Sequence, residues 1–427
     1  MSSPRPETKS LIDNYLKRLG TEPTHSVPGS VRGLESPSSA PVIDLSECGI
    51  RDTIGKLRDR LETFASRYYS DVRSKSHSDC IQRICRSVES GLTLLQRRDE
   101  VGLLNNAEAV AGLEGIIATD GSRPMYLIKD NQVDFRSDNQ LLDRSGATKI
   151  SGNSLWAQSL QRMDQEGLYR VMGSVGTIRH LNREDAYGTG FLVAPDLLMT
   201  NGHVWNKIGE DNGQDYSRII VDFQHEFQGG GQISIRRLRS LAYLGSRQRD
   251  VMNPNKTHYN PDVALFVLEP EAAAGHPEFF RIHSGRWNES PGSFVFVSVI
   301  GHPTIEANNP FAEFMKPTSG FKRLSPGTSR LAKDPTYAYH DASTTGGSSG
   351  SVLVSPSASS PMTAVGIHYA FGDTRTGLNT PTNCAQVLPH ILETYSEAVD
   401  QTETDSLRQI LSRYGAVLCP DSFPYTN

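Results

Sequence analysis

From residue 168 onward the chain is a run of short apolar segments broken by Gly, Pro, Asn and Asp. The breaks recur at intervals of roughly ten residues, too short for packed helices and right for an all-β barrel or sandwich. The segments that read as strands are "YRVMGSVGTIRHL", "GTGFLVA", "RIIVDF", "QISIRRL", "VALFVLE", "SFVFVSVIG", "YAYHD", "SVLVS" and "TAVGIHYA". Together they are enough for two small barrels. After them "LPHILETYSEAVD" and "TDSLRQILSRYG" return to helical spacing.

The first part of the chain has a different texture. Residues 1–45 are rich in Ser and Pro and read as a mostly disordered lead-in, with a short helix at 11–19. Ile50, Ile54, Leu57, Leu61, Phe64 and Tyr68 then recur in steps of three and four, which places them on one helix face. A second stripe follows at Ile81, Ile84, Val88, Leu92 and Leu95. Two helices packed as a hairpin explain both stripes. A coiled coil or a partner-docking module spanning 49–98 explains them too. The expected organisation is therefore a lead-in (1–45), a helical region of regulatory or interaction type (46–165), a two-barrel domain (166–400), and a C-terminal helix and tail (401–427).

Composition excludes several classes. In 427 residues the formal net charge is −5, and the Lys and Arg residues are scattered, so no nucleic-acid surface is expected. No apolar run is long enough to span a bilayer, and the N-terminal stretch lacks the apolar core of a secretory signal. Cys48, Cys80, Cys85, Cys384 and Cys419 fit neither a metal-ligand spacing nor a disulfide framework. The expectation is a cytoplasmic protein with reduced thiols that needs no metal or cofactor.

Three residues carry the chemistry. His203 follows an apolar run in "LLMTNGHVW", between Gly202 and Val204, beside a turn at Thr200 and Asn201. Asp262 stands at the mouth of the strand "VALFVLE". Ser349 lies in "GGSSGS", flanked by Gly347 and Gly350. Glycines around a nucleophile let the backbone turn tightly and aim N–H groups at one point, so the Gly347 and Ser349 amides suit an oxyanion hole. A base, its orienting carboxylate and a hydroxyl nucleophile, each at a strand boundary and in the order His–Asp–Ser, form the constellation of acyl-transfer chemistry. His302 and His340 read as structural. Asp250 lacks a following apolar strand, Asp373 reads as a loop residue, and Ser348 and Ser351 lack the glycine setting of Ser349.

The segment from about 170 to 395 resembles the chymotrypsin-fold serine peptidases, in particular the disulfide-free trypsin-like peptidases of bacteria and fungi and the glutamyl endopeptidases. The resemblance rests on "GTGFLV…LLMTNGHV", "PDVALFVL", "VIGHP", "KRLSPG", "HDASTTGGSSGS" and "VGIHYAFG". It implies two orthogonal six-stranded β-barrels, a serine endopeptidase with His203, Asp262 and Ser349 as triad, and Gly347 with Ser349 as oxyanion hole. It further implies that His368, with Ser343 and Thr344, takes Glu, or Gln or Asp, before the scissile bond of a protein or peptide substrate. The chain departs from its relatives at Ser348, where the secreted digestive enzymes carry an Asp that pairs with a new N-terminus. It departs also at Val352, where most glutamyl endopeptidases have Pro, and at Ala370 and Phe371, where their pocket motif has glycines. Two other functions remain open. One is a catalytically silent scaffold acting through the helical region. The other is an esterase, although the G-x-S-x-G elbow is unmatched because Ser351 occupies its last position.

Overall fold

The computed structural model describes residues 15–16, 19, 43–68, 75–120, 125–133, 160, 163, 167–183, 185–213, 215–226, 234–245, 261–270, 278–285, 287, 295–304, 319–332, 335–355, 362–371, 383–394 and 405–421.

The two apolar stripes form helices α1 (Glu47–Tyr68) and α2 (Lys75–Gln96). Ile50, Leu57 and Leu61 share a buried cluster with Ile81, Ile84, Val88, Leu92 and Leu95. Helices α3 (Glu100–Leu104) and α4 (Ala107–Asp120) complete the bundle. Tyr15, Leu16 and Leu19 of the lead-in are buried in the same cluster, so these lead-in residues are packed rather than disordered. The hairpin reading accounts for both stripes, because their apolar faces are turned onto each other. The side chains of Phe64 and Tyr68 lie outside the described residues.

The region expected to be helical up to 165 also contains a β-hairpin. Strands β1 (Tyr126–Lys129) and β2 (Gln132–Val133) are joined by Asp130 and Asn131, both at positive φ (52° and 60°). A two-residue turn with positive φ at both positions matches the right-handed twist of the flanking strands. After the helix α5 (Leu168–Met172) comes the first barrel: β3 (Val175–His180), β4 (Ala186–Ala194), β5 (Leu197–Thr200), helix α6 (Gly202–Asn212), a 3₁₀ turn at Tyr216–Arg218, β6 (Ile219–Asp222), β7 (Ile235–Leu244) and β8 (Ala264–Leu268). Its strands close in the order β3-β4-β5-β8-β7-β6. The start of the segment expected as the first strand, residues 169–172, is helical instead, and Leu168, Val171 and Met172 of that helix are buried.

The second barrel comprises β10 (Val295–Gly301), β11 (Arg323–Leu331), β12 (Tyr337–His340), β13 (Val352–Val354), β14 (Thr363–Phe371) and β15 (Asn383–Val387). Pairing runs β10-β13-β14-β15-β12-β11 and closes from β11 back to β10, which makes a second six-stranded ring. Along one edge β11 pairs with β1 at Arg323 and Leu324, and with β12 from Ser329 onward. Pro326 falls in the gap between, where that edge asks for no ladder donor. Strand β9 (Arg281–His283) runs parallel to β14 and to β16 (Leu418–Cys419). Helices α7 (Leu388–Ile391) and α8 (Leu407–Arg413) close the fold, α8 beginning on a capping box of Ser406 and Gln409.

Each barrel has its own interior, around Leu192, Val221 and Phe266 in the first and Val299, Leu353 and Val365 in the second. A larger cluster fills the space between them with Phe191, Met199 and Leu265 from one barrel and Ile300, Val352 and Ile367 from the other. Tyr126, Ile128, Val133, Leu160 and Met163 belong to that cluster, as do Leu407, Ile410 and Leu411. The expected boundaries at 165 and 400 therefore cut through one shared core. Apolar side chains of β1 and α8 can leave water only by covering the barrels.

A buried ion pair joins the same parts. Lys322 and Glu226 have fully buried side chains 2.9 Å apart. Lys322 Nζ also donates to the carbonyls of Met172 (2.9 Å) and Phe223 (2.8 Å), which uses all three of its protons. The other Glu226 oxygen accepts from the Asn131 amide at 3.1 Å. Burial pushes the Lys322 ammonium below its ordinary range, and Glu226 opposes the shift.

Candidate active site

Strand β5 delivers the chain to Asn201, and α6 begins at Gly202, so His203 lies in the first turn of a helix rather than in a loop. Asn201 makes no side-chain cap. Asp262, two residues before β8, supplies one from outside: its Oδ1 accepts from the His203 amide at 2.7 Å. Its Oδ2 lies 2.6 Å from His203 Nδ1. Asn201 Nδ2 donates to the Asp262 carbonyl at 3.0 Å, which fixes the backbone of that carboxylate. Gly202 keeps the approach open, since a Cβ there would sit 3.1 Å from Asp262 Oδ1. A carboxylate holding Nδ1 leaves Nε2 as the free, basic nitrogen of a neutral imidazole. Asp262 is buried and His203 a quarter exposed, so the pair faces solvent only through the imidazole.

The "GGSSGS" segment lies against β4. Thr189 donates from its amide to the Ser349 carbonyl (2.8 Å) and from Oγ1 to the Gly347 carbonyl (2.9 Å). Gly347 and Gly350 have φ of 78° and 86°, a region that favours glycine, which explains why both positions lack a side chain. Ser348 and Ser351 are buried, whereas Ser349 is half-buried and reaches solvent. Gly188 is where the His203 helix and the Ser349 loop meet: a Cβ there would lie 2.8 Å from Val204 and 2.9 Å from the Ser349 carbonyl. Neither the Gly347 nor the Ser349 amide donates to a backbone carbonyl among the described residues. Ser348 Oγ accepts from the Thr345 amide at 3.3 Å, so Ser348 braces its own loop.

His368 of β14 flanks the loop. Its carbonyl accepts from the Gly350 amide (2.9 Å) and its amide donates to the Ser351 carbonyl (2.8 Å). Its Nδ1 lies 3.1 Å from His340 Nε2, so His340, read from sequence as structural, is its direct partner. Burial above all, then the nearby His340 and His203, hold the His368 imidazole well below its ordinary value. Ser343 is buried and Thr344 half-buried, both on the connection from His340 to the Ser349 loop. Asp250, Asp373 and the side chains of Ala370 and Phe371 lie outside the described residues. The sequence gives no separate role to Gly188 or Thr189 and reads Asn201 only as a turn residue, although all three sit inside the quoted motifs. No cluster of His, Cys, Asp and Glu able to hold a metal occurs among the described residues.

Residues 188–361 match the family described as the trypsin-like peptidase domain. Residues 188–361 form a trypsin-like peptidase domain. A probable serine protease from Lysobacter enzymogenes is 24% identical to the chain over 329 residues, which are 70% of this chain and 80% of that protein. Among solved structures, a serine endoprotease from Yersinia pestis shows 18% identity and a TM-score of 0.33 over 52% of this chain; the chain spans 61% of its length. A scabies mite inactivated protease paralogue shows 13% identity and a TM-score of 0.35, over 52% of this chain and 91% of that one.

The buried histidines of this peptidase domain set a pH limit on its stability. His302 and His368 are both buried and both held well below the ordinary 6.5, with burial the first cause in each. Below 6.5 the unfolded chain takes up protons that the folded one refuses. Their contribution is therefore complete above about pH 6.5 and is lost as the pH falls toward the depressed folded values. Urea midpoints measured between pH 7.5 and pH 5 should fall, and less steeply in His302→Gln. A flat profile would contradict this.

Proposed function

We propose that the domain hydrolyses peptide bonds through Ser349, His203 and Asp262 by way of an acyl-enzyme. The observation that carries this reading is the two-oxygen grip of Asp262 on the His203 amide and Nδ1, beside a loop whose solvent-reaching serine is Ser349. His203 Nε2 takes the Ser349 Oγ proton as Oγ bonds to the substrate carbonyl carbon. The proton passes to the amine as the C–N bond breaks, and water attacks the ester in a second, mirrored round. Asp262 holds the imidazole in the tautomer that leaves Nε2 unprotonated and stabilises its charged form. The Gly347 and Ser349 amides stabilise the oxyanion, each worth about 10²–10³ in rate.

The same reading gives the enzyme a preference for Glu, with Gln or Asp tolerated, before the scissile bond. If His340 Nε2–H donates to His368 Nδ1, the proton of His368 resides on Nε2, and a neutral donor is available to a carboxylate or an amide oxygen. Hydroxyls of Ser343 and Thr344 would complete the recognition. Profiling cleavage of a proteome-derived peptide library should show Glu enriched and Lys and Arg depleted at that position. His368→Ala should lower kcat/KM after Glu at least tenfold more than after a neutral residue, since the carboxylate then goes unpaired. Efficient wild-type cleavage after Lys or Arg would overturn the assignment. A protein partner at 49–98 would have to meet the outer faces of α1 and α2, because their apolar stripes are used within the bundle.

A further inference from the structure

We propose that Thr189 is a positioning residue that aims the oxyanion hole, holding the Ser349 loop of the second barrel from a strand of the first. The inference rests on the reading of Ser349 as nucleophile. A loop with Gly346, Gly347 and Gly350 has no direction of its own, because glycine visits both signs of φ about equally. Its direction comes from what holds its peptide groups. The Gly346 carbonyl accepts from the Thr304 amide, and the Gly347 carbonyl accepts from Thr189 Oγ1 at 2.9 Å. The two peptides on either side of the Gly347 Cα are thus each tied, which fixes its φ at 78°. A trans peptide is planar, with N–H and C=O pointing in opposite directions. Tying the Gly346 carbonyl to Thr304 therefore turns the Gly347 N–H away from Thr304. The Ser349 N–H is set in the same way by the bond from the Ser351 amide to the Ser348 carbonyl (2.9 Å).

The hydroxyl of Thr189 has one possible orientation. The His302 amide lies 3.0 Å from Oγ1 and can only donate, so Oγ1 is its acceptor. The single hydroxyl proton is then left for the Gly347 carbonyl, which can only accept. Thr189 is fully buried, so no water competes for either bond. Its remaining polar atoms are engaged as well: the amide on the Ser349 carbonyl, and the carbonyl on Thr200 Oγ1 at 2.7 Å. One residue thus grips the Gly347 and Ser349 carbonyls, whose peptides carry the Ser348 and Gly350 amides and directly follow the two peptides that carry the amides of the hole. Only the Gly347 grip depends on the side chain.

The test compares Thr189→Val, which keeps the shape and removes the hydroxyl, with Thr189→Ser, which keeps the hydroxyl. Peptide p-nitroanilides carrying the residue preferred in the cleavage profile serve as substrate. Thr189→Val should lose about 10- to 100-fold in kcat, a part of the worth of one oxyanion donor, with KM within twofold. Thr189→Ser should stay within threefold of wild type. Affinity for a peptide boronate, which mimics the tetrahedral state, should fall in step with kcat. The acid limb of the pH–rate profile should not move, because the His203–Asp262 pair is untouched. If Thr189→Val unfolds, Thr189→Ala and Thr189→Ser are compared at a temperature where both remain folded. A Val or Ala variant with kcat within twofold of wild type overturns the inference and leaves the nucleophile assignment standing. An inactive wild type, or an active Ser349→Ala, overturns both.

Discussion

Replacing Ser349 by alanine should lower kcat for peptide hydrolysis by about 10⁴- to 10⁶-fold and leave the urea midpoint within error of wild type. The large effect on rate follows from the chemistry. On the proposed mechanism no acyl-enzyme forms without Oγ, and what remains is the contribution of binding and the two amides. The small effect on stability follows from the structure. The loop is held by backbone and by neighbours, through Thr189, Thr345, Ser348, Gly350 and His368. The Ser349 backbone keeps its contacts in the alanine variant, and its half-buried side chain covers little. His203→Ala should be comparably slow, and the double variant little slower than either single one, because members of a triad act as a unit. Near-wild-type turnover by Ser349→Ala, measured on the library-derived peptide, would remove the assignment.

The largest expected effect on stability lies away from the catalytic groups. Lys322→Met should destabilise the protein by about 3–5 kcal/mol, since it strands the buried carboxylate of Glu226 and leaves two buried carbonyls without their donor. Both carbonyls are specific: Met172 ends α5 and Phe223 follows β6, so the loss is felt where the first barrel meets the second. Converting Glu226 to leucine in the same protein should recover much of the loss, because the remaining pair of groups is apolar and of similar bulk. The recovery should be incomplete. The Asn131 amide also uses Glu226 and has no replacement acceptor in the leucine variant. Equilibrium urea unfolding of the four proteins gives the coupling energy directly. Single variants within 1 kcal/mol of wild type would show that the pair is incidental to the joint.

Much of this was written in the sequence at short range. The β texture after 168 is local, and strands such as β4, β8, β10 and β14 fall where their alternating or continuous apolar runs place them. Helices α1 and α2 follow from their stripes for the same reason. The errors have local causes too. Strand β11 is missing from the segments that read as strands because Pro326 and Gly327 interrupt its apolar pattern; Pro326 is tolerated because one edge of the strand is unpaired there. Thr200 and Asn201 read as a turn beside His203, whereas Asp262 caps a helix that starts at Gly202. The β1–β2 hairpin is too short to stand out against masses of helix and makes sense only once β11 is present to receive it. Long-range partnerships left no local signal at all. Thr189 finds Gly347 at 158 residues' distance and Lys322 finds Glu226 at 96. A threonine in a "GTG" motif and a lysine in "KRLSPG" carry nothing in their neighbourhoods that names those partners.

Labelling with a fluorophosphonate, followed by mass spectrometric mapping of the modified peptide, tests the central claim most directly. A phosphonate bonds only to a serine whose oxygen is activated and whose oxyanion is received, so labelling reports nucleophile, base and hole together without knowledge of the natural substrate. The account predicts a single adduct on Ser349 in the folded wild-type protein, slowed by orders of magnitude in His203→Ala and absent in Ser349→Ala. An unlabelled wild type that is folded, or an adduct on any other serine, would contradict it.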